Sequence, residues 1–294
     1  MNTKKIICWG DSITVGMSMK SNQTYPSVLG RLLGDEYTVI NAGGGGETAQ
    51  TIASRQGAYK VYTSRDIVFE ARESVVDISA DNYKTAFCLE DGTLLNVSTH
   101  PNPFAPYEFE SDLVYIDNEE YFLPKNGKFS ALKRNRTDCK TVIKKGSEVA
   151  FLSALEQQKG SFCEIFYIGT NGRVYGVPKQ ENIDFLINEN EKMIQRHGND
   201  CWLVVIPYWD GYYSRAFVDA FGERAVDFRK ELLKSGFSEE GLFPTKDDII
   251  KMGEGLIPPS FRLNNNPNEI HLNKYGYSFL AKMLYERGKT LGFW

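Results

Sequence analysis

A serine follows an apolar run at the start of the chain, in Ile6-Ile7-Cys8-Trp9-Gly10-Asp11-Ser12. A serine hydroxyl is a poor nucleophile until a base takes its proton, and an imidazole titrating near neutrality suits that work. The chain offers three histidines, His100, His197 and His271. His197 precedes Gly198 at a helix end, where a cation near the carboxyl terminus acts as a cap. His100 lies in a Pro-rich stretch and reads as a surface-loop residue, or as one reaching over the site if that region forms a lid. Gly-Asp-Ser alone is weak evidence of chemistry, because Ser and Asp are ordinary N-caps.

A second stretch able to meet a ligand is Asn41-Ala42-Gly43-Gly44-Gly45-Gly46-Glu47-Thr48. It follows the strand-like run Tyr37 to Ile40 and precedes a helical pattern from Thr48 to Arg55. Thr48 occupies the place of the third glycine of a dinucleotide fingerprint, and no Walker lysine follows. The loop therefore reads as one whose backbone approaches a ligand closely, with a plain linker as the alternative.

The elements that must position these residues alternate. Lys4-Lys5 and the apolar run form a short buried strand that ends in a tight turn. A helix from Tyr25 to Leu33 follows, closed by Gly34. From Phe162 to Ile168 the pattern is again a buried strand, running into Gly169-Thr170-Asn171-Gly172. Ile183 to Arg196 reads as an amphipathic helix, and Cys201 to Ile206 as another central strand. Helices are expected over Phe217 to Leu233 and Gly276 to Arg287, with a loop rich in Pro and Asn over Leu256 to Asn268.

Between residues 58 and 158 the texture changes to short β-like runs. These are Val75–Ile78, Ala86–Leu89, Leu94–Val97, Leu113–Ile116, Tyr121–Leu123 and Val149–Leu152, punctuated by Asp91-Gly92, Asn118-Glu119 and Asn126-Gly127. Pro101, Pro103 and Pro106 break any helix there. The expected architecture is a three-layer α/β/α sandwich on a central parallel sheet, built from residues 1–57 and 159–294, with an all-β domain inserted over 58–158. Ser12 then falls in the crevice beyond the carboxyl ends of the strands, beside turn N–H groups.

Composition narrows the function classes. The chain has 294 residues, 24% of them charged, and a formal net charge of -4, which offers no electrostatic footprint for nucleic acid. No apolar run approaches the roughly 20 residues of a membrane-spanning helix. No secretion signal is read at the start, so a cytoplasmic protein is expected. Five cysteines without ligand spacing suggest free thiols in a reducing compartment, and no metal site or cofactor is expected.

At four places the chain resembles the SGNH, or GDSL, hydrolase family. Gly10-Asp11-Ser12 matches the nucleophile block, Asn41 to Thr48 the second, Gly169-Thr170-Asn171 the third, and Asn268-Glu269-Ile270-His271-Leu272-Asn273 the last. The resemblance covers the α/β parts and not the insertion. It implies Ser12 as nucleophile and His271 as base, with Ser12, Gly46 and Asn171 donating to an oxyanion. The fold it implies is flavodoxin-like. Two positions depart from the family pattern. Asn268 stands where an Asp usually orients the histidine; its amide oxygen can accept from His271 Nδ1–H but cannot stabilise an imidazolium as a carboxylate does. Glu269, Asp210, a backbone carbonyl or water are the other partners for His271, and a Ser–His dyad is a further possibility. Gly172 also stands where an Asp is usual.

Tyr208, Trp209, Tyr212 and Tyr213 cluster past a central strand, where rings suit sugar faces or simply pack under a loop. The expected activity is hydrolysis of a short acyl ester, such as an O-acetyl group on a carbohydrate-like substrate. Tyr208, Trp209 and Tyr212 are the candidate substrate contacts. The alternatives are a thioesterase or lysophospholipase of the same family, or a glycan-binding module with weakened catalysis. The expected partner is the small-molecule or glycan ester alone, with no nucleic acid and no membrane insertion; oligomer contacts would run through the inserted domain.

Overall fold

In the computed structural model, residues 3–80, 84–97, 111–124, 130–151, 159–172, 179–207 and 211–294 are described. The first strand, β1 (Lys4–Gly10), stops at Gly10, and α1 (Ser12–Val15) begins two residues later. The helix α2 (Tyr25–Leu33) leads into β2 (Tyr37–Gly43), and α3 (Ala49–Gln56) starts just beyond the glycine loop.

A run of short strands follows: β3 (Val61–Thr63), β4 (Ile67–Phe69), β5 (Val75–Asp77), β6 (Ser79–Ala80), β7 (Lys84–Thr85), β8 (Phe87–Cys88), β9 (Ser111–Ile116), β10 (Glu119–Pro124), β11 (Ala131–Lys133), β12 (Thr141–Ile143) and β13 (Glu148–Ala150). The α/β pattern then resumes with β14 (Ser161–Tyr167), α4 (Lys179–His197), β15 (Trp202–Val205), α5 (Gly211–Phe221), β16 (Ala225–Val226), α6 (Phe228–Glu239), α7 (Lys246–Gly253) and α8 (Lys274–Thr290).

Five strands pair in the order β16-β15-β14-β1-β2, and every pairing is parallel. The strand order reverses between β1 and β14, and such a switch point opens a crevice at the strands' carboxyl ends. Alternation along the strands feeds two cores. Ile6, Cys8, Ile165 and Val205 pack with Tyr25, Leu29, Phe228, Leu280 and Leu284. Ile7, Trp9, Phe166 and Val204 pack with Ile52, Ile183, Met193 and Phe217. Helices thus cover both faces of the sheet.

The short strands form a seven-stranded sheet, β5-β11-β10-β9-β13-β3-β8, and the pairs β12-β4 and β6-β7, all antiparallel. Their apolar interior, with Val61, Phe69, Phe87, Val114 and Leu132, is continuous with the core under α3 and α4.

Local differences from the sequence reading have simple causes. Ile116 pairs with Glu119, so the β9–β10 hairpin turns on Asp117-Asn118, one residue earlier than Asn118-Glu119. Both residues have positive φ, 51° and 67°, as a two-residue primed turn requires. Leu94 to Val97 forms only a bridge, Leu94 to Cys88. The expected helix from Phe217 to Leu233 is two helices, α5 and α6, separated by the two-residue strand β16, too short to carry a period. Asn126-Gly127, His100 and the three prolines lie outside the described residues.

Candidate active site

Gly10 ends β1, and the chain turns immediately. The Asp11 carboxylate accepts the Ile13 N–H at 2.9 Å, capping α1. Asp11 is fully buried, and burial pushes its carboxyl up to about 6, against the opposing pull of the Ile13 N–H, Thr170 and the His271 charge. Ser12 is the first helical residue, so its backbone N–H has no intrahelical acceptor. Its side chain sits at the switch point between β1 and β14.

His271 comes from the loop before α8. Its Nε2 lies 3.0 Å from Ser12 Oγ. Its Nδ1–H donates to Glu269 Oε1 at 2.7 Å, and the same oxygen accepts the backbone N–H of His271 at 3.1 Å and of Ile270 at 2.9 Å. A carboxylate only accepts, so the proton sits on Nδ1 and the Nε2 lone pair faces the serine hydroxyl. Partial burial raises the Glu269 carboxyl, but the His271 N–H groups, the His271 charge and the Ile270 N–H outweigh it, so its pKa lies below the ordinary glutamate value.

The side chain that holds the His271 ring is thus Glu269, two positions before the histidine. Asn268, expected from the sequence to hold His271, is exposed, and its backbone N–H donates to Asn266 Oδ1 at 3.0 Å. The chain turns here between Asn266 and Glu269, whose N–H donates to the Asn266 carbonyl at 3.1 Å.

The histidine loop is tied from behind. The Arg262 guanidinium donates to the carbonyls of Ile257, Pro267 and Glu269 at 2.8, 3.0 and 2.9 Å. Leu263 N–H donates to the His271 carbonyl at 2.9 Å, alongside the Arg262–Leu272 bridge. Asn273 caps α8 by accepting the Tyr275 and Gly276 N–H groups, while its amide donates to the Ser260 and Arg262 carbonyls. The sequence gives no sign of Arg262.

The glycine loop is pinned at several points. Gly44 N–H donates to the Gly10 carbonyl at 2.9 Å, and Asn41 Nδ2 to the Thr14 carbonyl at 2.8 Å, holding the loop against the nucleophile turn. The buried Arg55 bonds Glu47 Oε2 at 2.7 Å and the Ala42 carbonyl at 2.9 Å. Gly46 has φ +79°, and the space where a Cβ would stand is open to 4 Å.

Asn171 Nδ2 donates to the Glu47 carbonyl at 3.1 Å, which joins the third loop to the second and leaves its other N–H. Gly172 completes that junction. Its φ is +78°, and a Cβ there would stand 2.7 Å from Thr48 Cγ2. An Asp does not fit that space.

Tyr208, Trp209 and Asp210 lie outside the described residues. Tyr212 is exposed, with the Lys179 ammonium 4.7 Å from its ring centroid. Tyr213 is buried and accepts from Asn182 Nδ2 at 3.1 Å, so it belongs to the packing under α5. His197 lies far from Ser12 in the fold; its Nδ1 is 3.3 Å from Glu164 Oε1, and both side chains are buried. The five cysteines are free thiols. Among the described residues, no group of three His, Cys, Asp or Glu is placed to hold a metal ion, and no helix is long and apolar enough to cross a membrane.

No protein-family model and no curated protein matches the chain. Several solved structures resemble it at low identity. One is described as a lipolytic protein of the G-D-S-L family from Desulfitobacterium hafniense DCB-2, 13% identical, with TM-score 0.42, over 97% of this chain and 99% of that one. Another is a peptidoglycan O-acetylesterase, 12% identical, with TM-score 0.36, over 99% of this chain and 91% of that one. At such values the likeness carries no weight beside the side-chain geometry around Ser12.

Proposed function

We propose that the chain is a serine hydrolase of carboxylic esters, of SGNH type, working through a Ser12 acyl-enzyme. One observation carries this reading: Glu269, His271 and Ser12 form a continuous line of hydrogen bonds at a parallel-sheet switch point. His271 Nε2 takes the Ser12 proton as Oγ attacks the ester carbonyl carbon. The imidazolium, paired with Glu269, returns that proton to the departing alcohol oxygen as the ester C–O bond breaks. Water then attacks the acyl-enzyme by the same route, and the carboxylic acid leaves. Ser12 N–H, Gly46 N–H and the remaining Asn171 amide N–H supply the oxyanion donors.

The substrate class proposed is a short acyl ester on a carbohydrate-like alcohol, with Tyr208, Trp209 and Tyr212 as the candidate contacts to the sugar. Residues 58–158 would form an inserted domain that walls the cleft. Hydrolysis of p-nitrophenyl acetate by the purified chain and by its Ser12→Ala variant tests the reading. Turnover above buffer in the first and none in the second is expected. Comparison of acetylated oligosaccharides with long-chain thioesters and lysophospholipids then ranks the substrate classes.

A further inference from the structure

We infer that Asn96, carried by the antiparallel segment, is a positioning residue that orients the Asn171 amide for the oxyanion; the inference rests on the esterase reading above. The link runs through one peptide unit, the one joining Glu47 to Thr48. Its N–H belongs to Thr48 and donates to Asn96 Oδ1 at 3.0 Å. Its carbonyl belongs to Glu47 and accepts from Asn171 Nδ2 at 3.1 Å. A peptide is planar and trans, so its N–H and C=O point in opposite directions. Asn96 on one side therefore sets where the carbonyl points on the other.

The preceding peptide is held as well. Asn96 Nδ2 donates to the Gly46 carbonyl at 2.6 Å, and the Glu47 N–H of that same peptide donates to the Gly44 carbonyl at 3.2 Å. Both peptides flanking the Glu47 Cα thus bond the one Asn96 amide, which restricts φ and ψ of Glu47 together. The orientation of that amide follows from its partners, since a backbone N–H only donates and a carbonyl only accepts. Asn96 itself is anchored. Its N–H donates to Thr51 Oγ1 at 3.1 Å, its Oδ1 accepts the Thr51 hydroxyl at 2.6 Å, and its neighbours Leu95 and Val97 are buried.

The consequence falls on Asn171. A half-turn of its side-chain amide would bring Oδ1 to the place of Nδ2. An oxygen there would face the Glu47 carbonyl oxygen, so a fixed carbonyl selects the orientation that presents N–H groups. One N–H goes to Glu47, and the second is left for the tetrahedral intermediate. The β-rich segment reaches the oxyanion donors through this one side chain.

The experiment compares wild type, Asn96→Ala, Asn171→Ala and the double variant in turnover of p-nitrophenyl acetate. Rates are expressed per Ser12 site, counted by titration with a fluorophosphonate, so partial unfolding does not enter kcat. N96A is expected to lower kcat about 10–100-fold with KM within roughly twofold. In the N171A background the same change should cost less than about twofold, because the amide that Asn96 positions is gone. Asn96→Ser, too short to bridge both peptides, gives the same comparison should N96A fail to fold. A wild-type kcat in N96A, an effect confined to KM, or an equal loss with and without Asn171 overturns the inference. Absence of any Ser12-dependent turnover in wild type defeats the esterase reading instead, so the two failures are distinct.

Discussion

Glu269 Oε1 accepts both the Nδ1–H of His271 and the backbone N–H of the same residue, at 2.7 and 3.1 Å. One oxygen therefore sets the ring tautomer and the local backbone together. Glu269→Ala should lower kcat by roughly 10²–10⁴-fold, as loss of the orienting carboxylate does in serine hydrolases generally. Asn268→Ala should stay within about threefold of wild type. Steady-state kinetics on a p-nitrophenyl ester decide it, and the reverse ranking would return the orienting role to Asn268.

Removal of an oxyanion donor should act on the rate and not on binding. Asn171→Ala is expected to cost on the order of 10²–10³-fold in kcat, or about 2.7–4 kcal/mol of barrier, with KM little changed. A loss confined to KM would place Asn171 with the substrate instead.

Asp11 makes stability depend on pH in a stated direction. Its folded pKa, about 6, lies above the ordinary 3.8, so the native state holds a proton that the unfolded chain releases. Its contribution is then fully present below about pH 4 and is lost as pH rises through about 6, on the order of 3 kcal/mol. The D11N variant keeps an acceptor for the Ile13 N–H and has no charge to bury. Its stability relative to wild type should rise between pH 4 and 7 in denaturant titrations. A difference independent of pH over that window would contradict the assignment.

The junction of the second and third loops is tight enough to test sterically. Gly172→Asp puts a Cβ against Thr48 Cγ2 at a positive φ, and should destabilise the fold by roughly 1–3 kcal/mol. Pairing it with Thr48→Ser removes the methyl and should recover the steric part of the loss. No recovery in thermal unfolding would mean that backbone strain alone is responsible.

The α/β skeleton was readable because long buried strands and amphipathic helices carry a period. Ser12, Gly46, Asn171 and His271 stand at the ends of such elements, and the structure brings Ser12 to His271 and Asn171 to the loop of Gly46. The orienting partner was harder. Asn268 and Glu269 are neighbours, and which one faces His271 depends on the turn closed between Asn266 and Glu269, which no spacing rule specifies. Asn96 and Arg262 were invisible for another reason: each acts through backbone carbonyls, and carbonyls leave no mark in a sequence. The strand Ala225–Val226 escaped because two residues show no alternation. The helix Lys246–Gly253 carries the capping box Thr245–Asp248, a signal local to the sequence.

The most direct measurement is covalent labelling of the intact chain with a fluorophosphonate, mapped by mass spectrometry, in wild type, His271→Ala and Glu269→Ala. Stoichiometric modification of Ser12 that vanishes in H271A and slows in E269A is the predicted result. A folded wild-type protein left unmodified at Ser12, or labelled equally without His271, would contradict an assembled nucleophile.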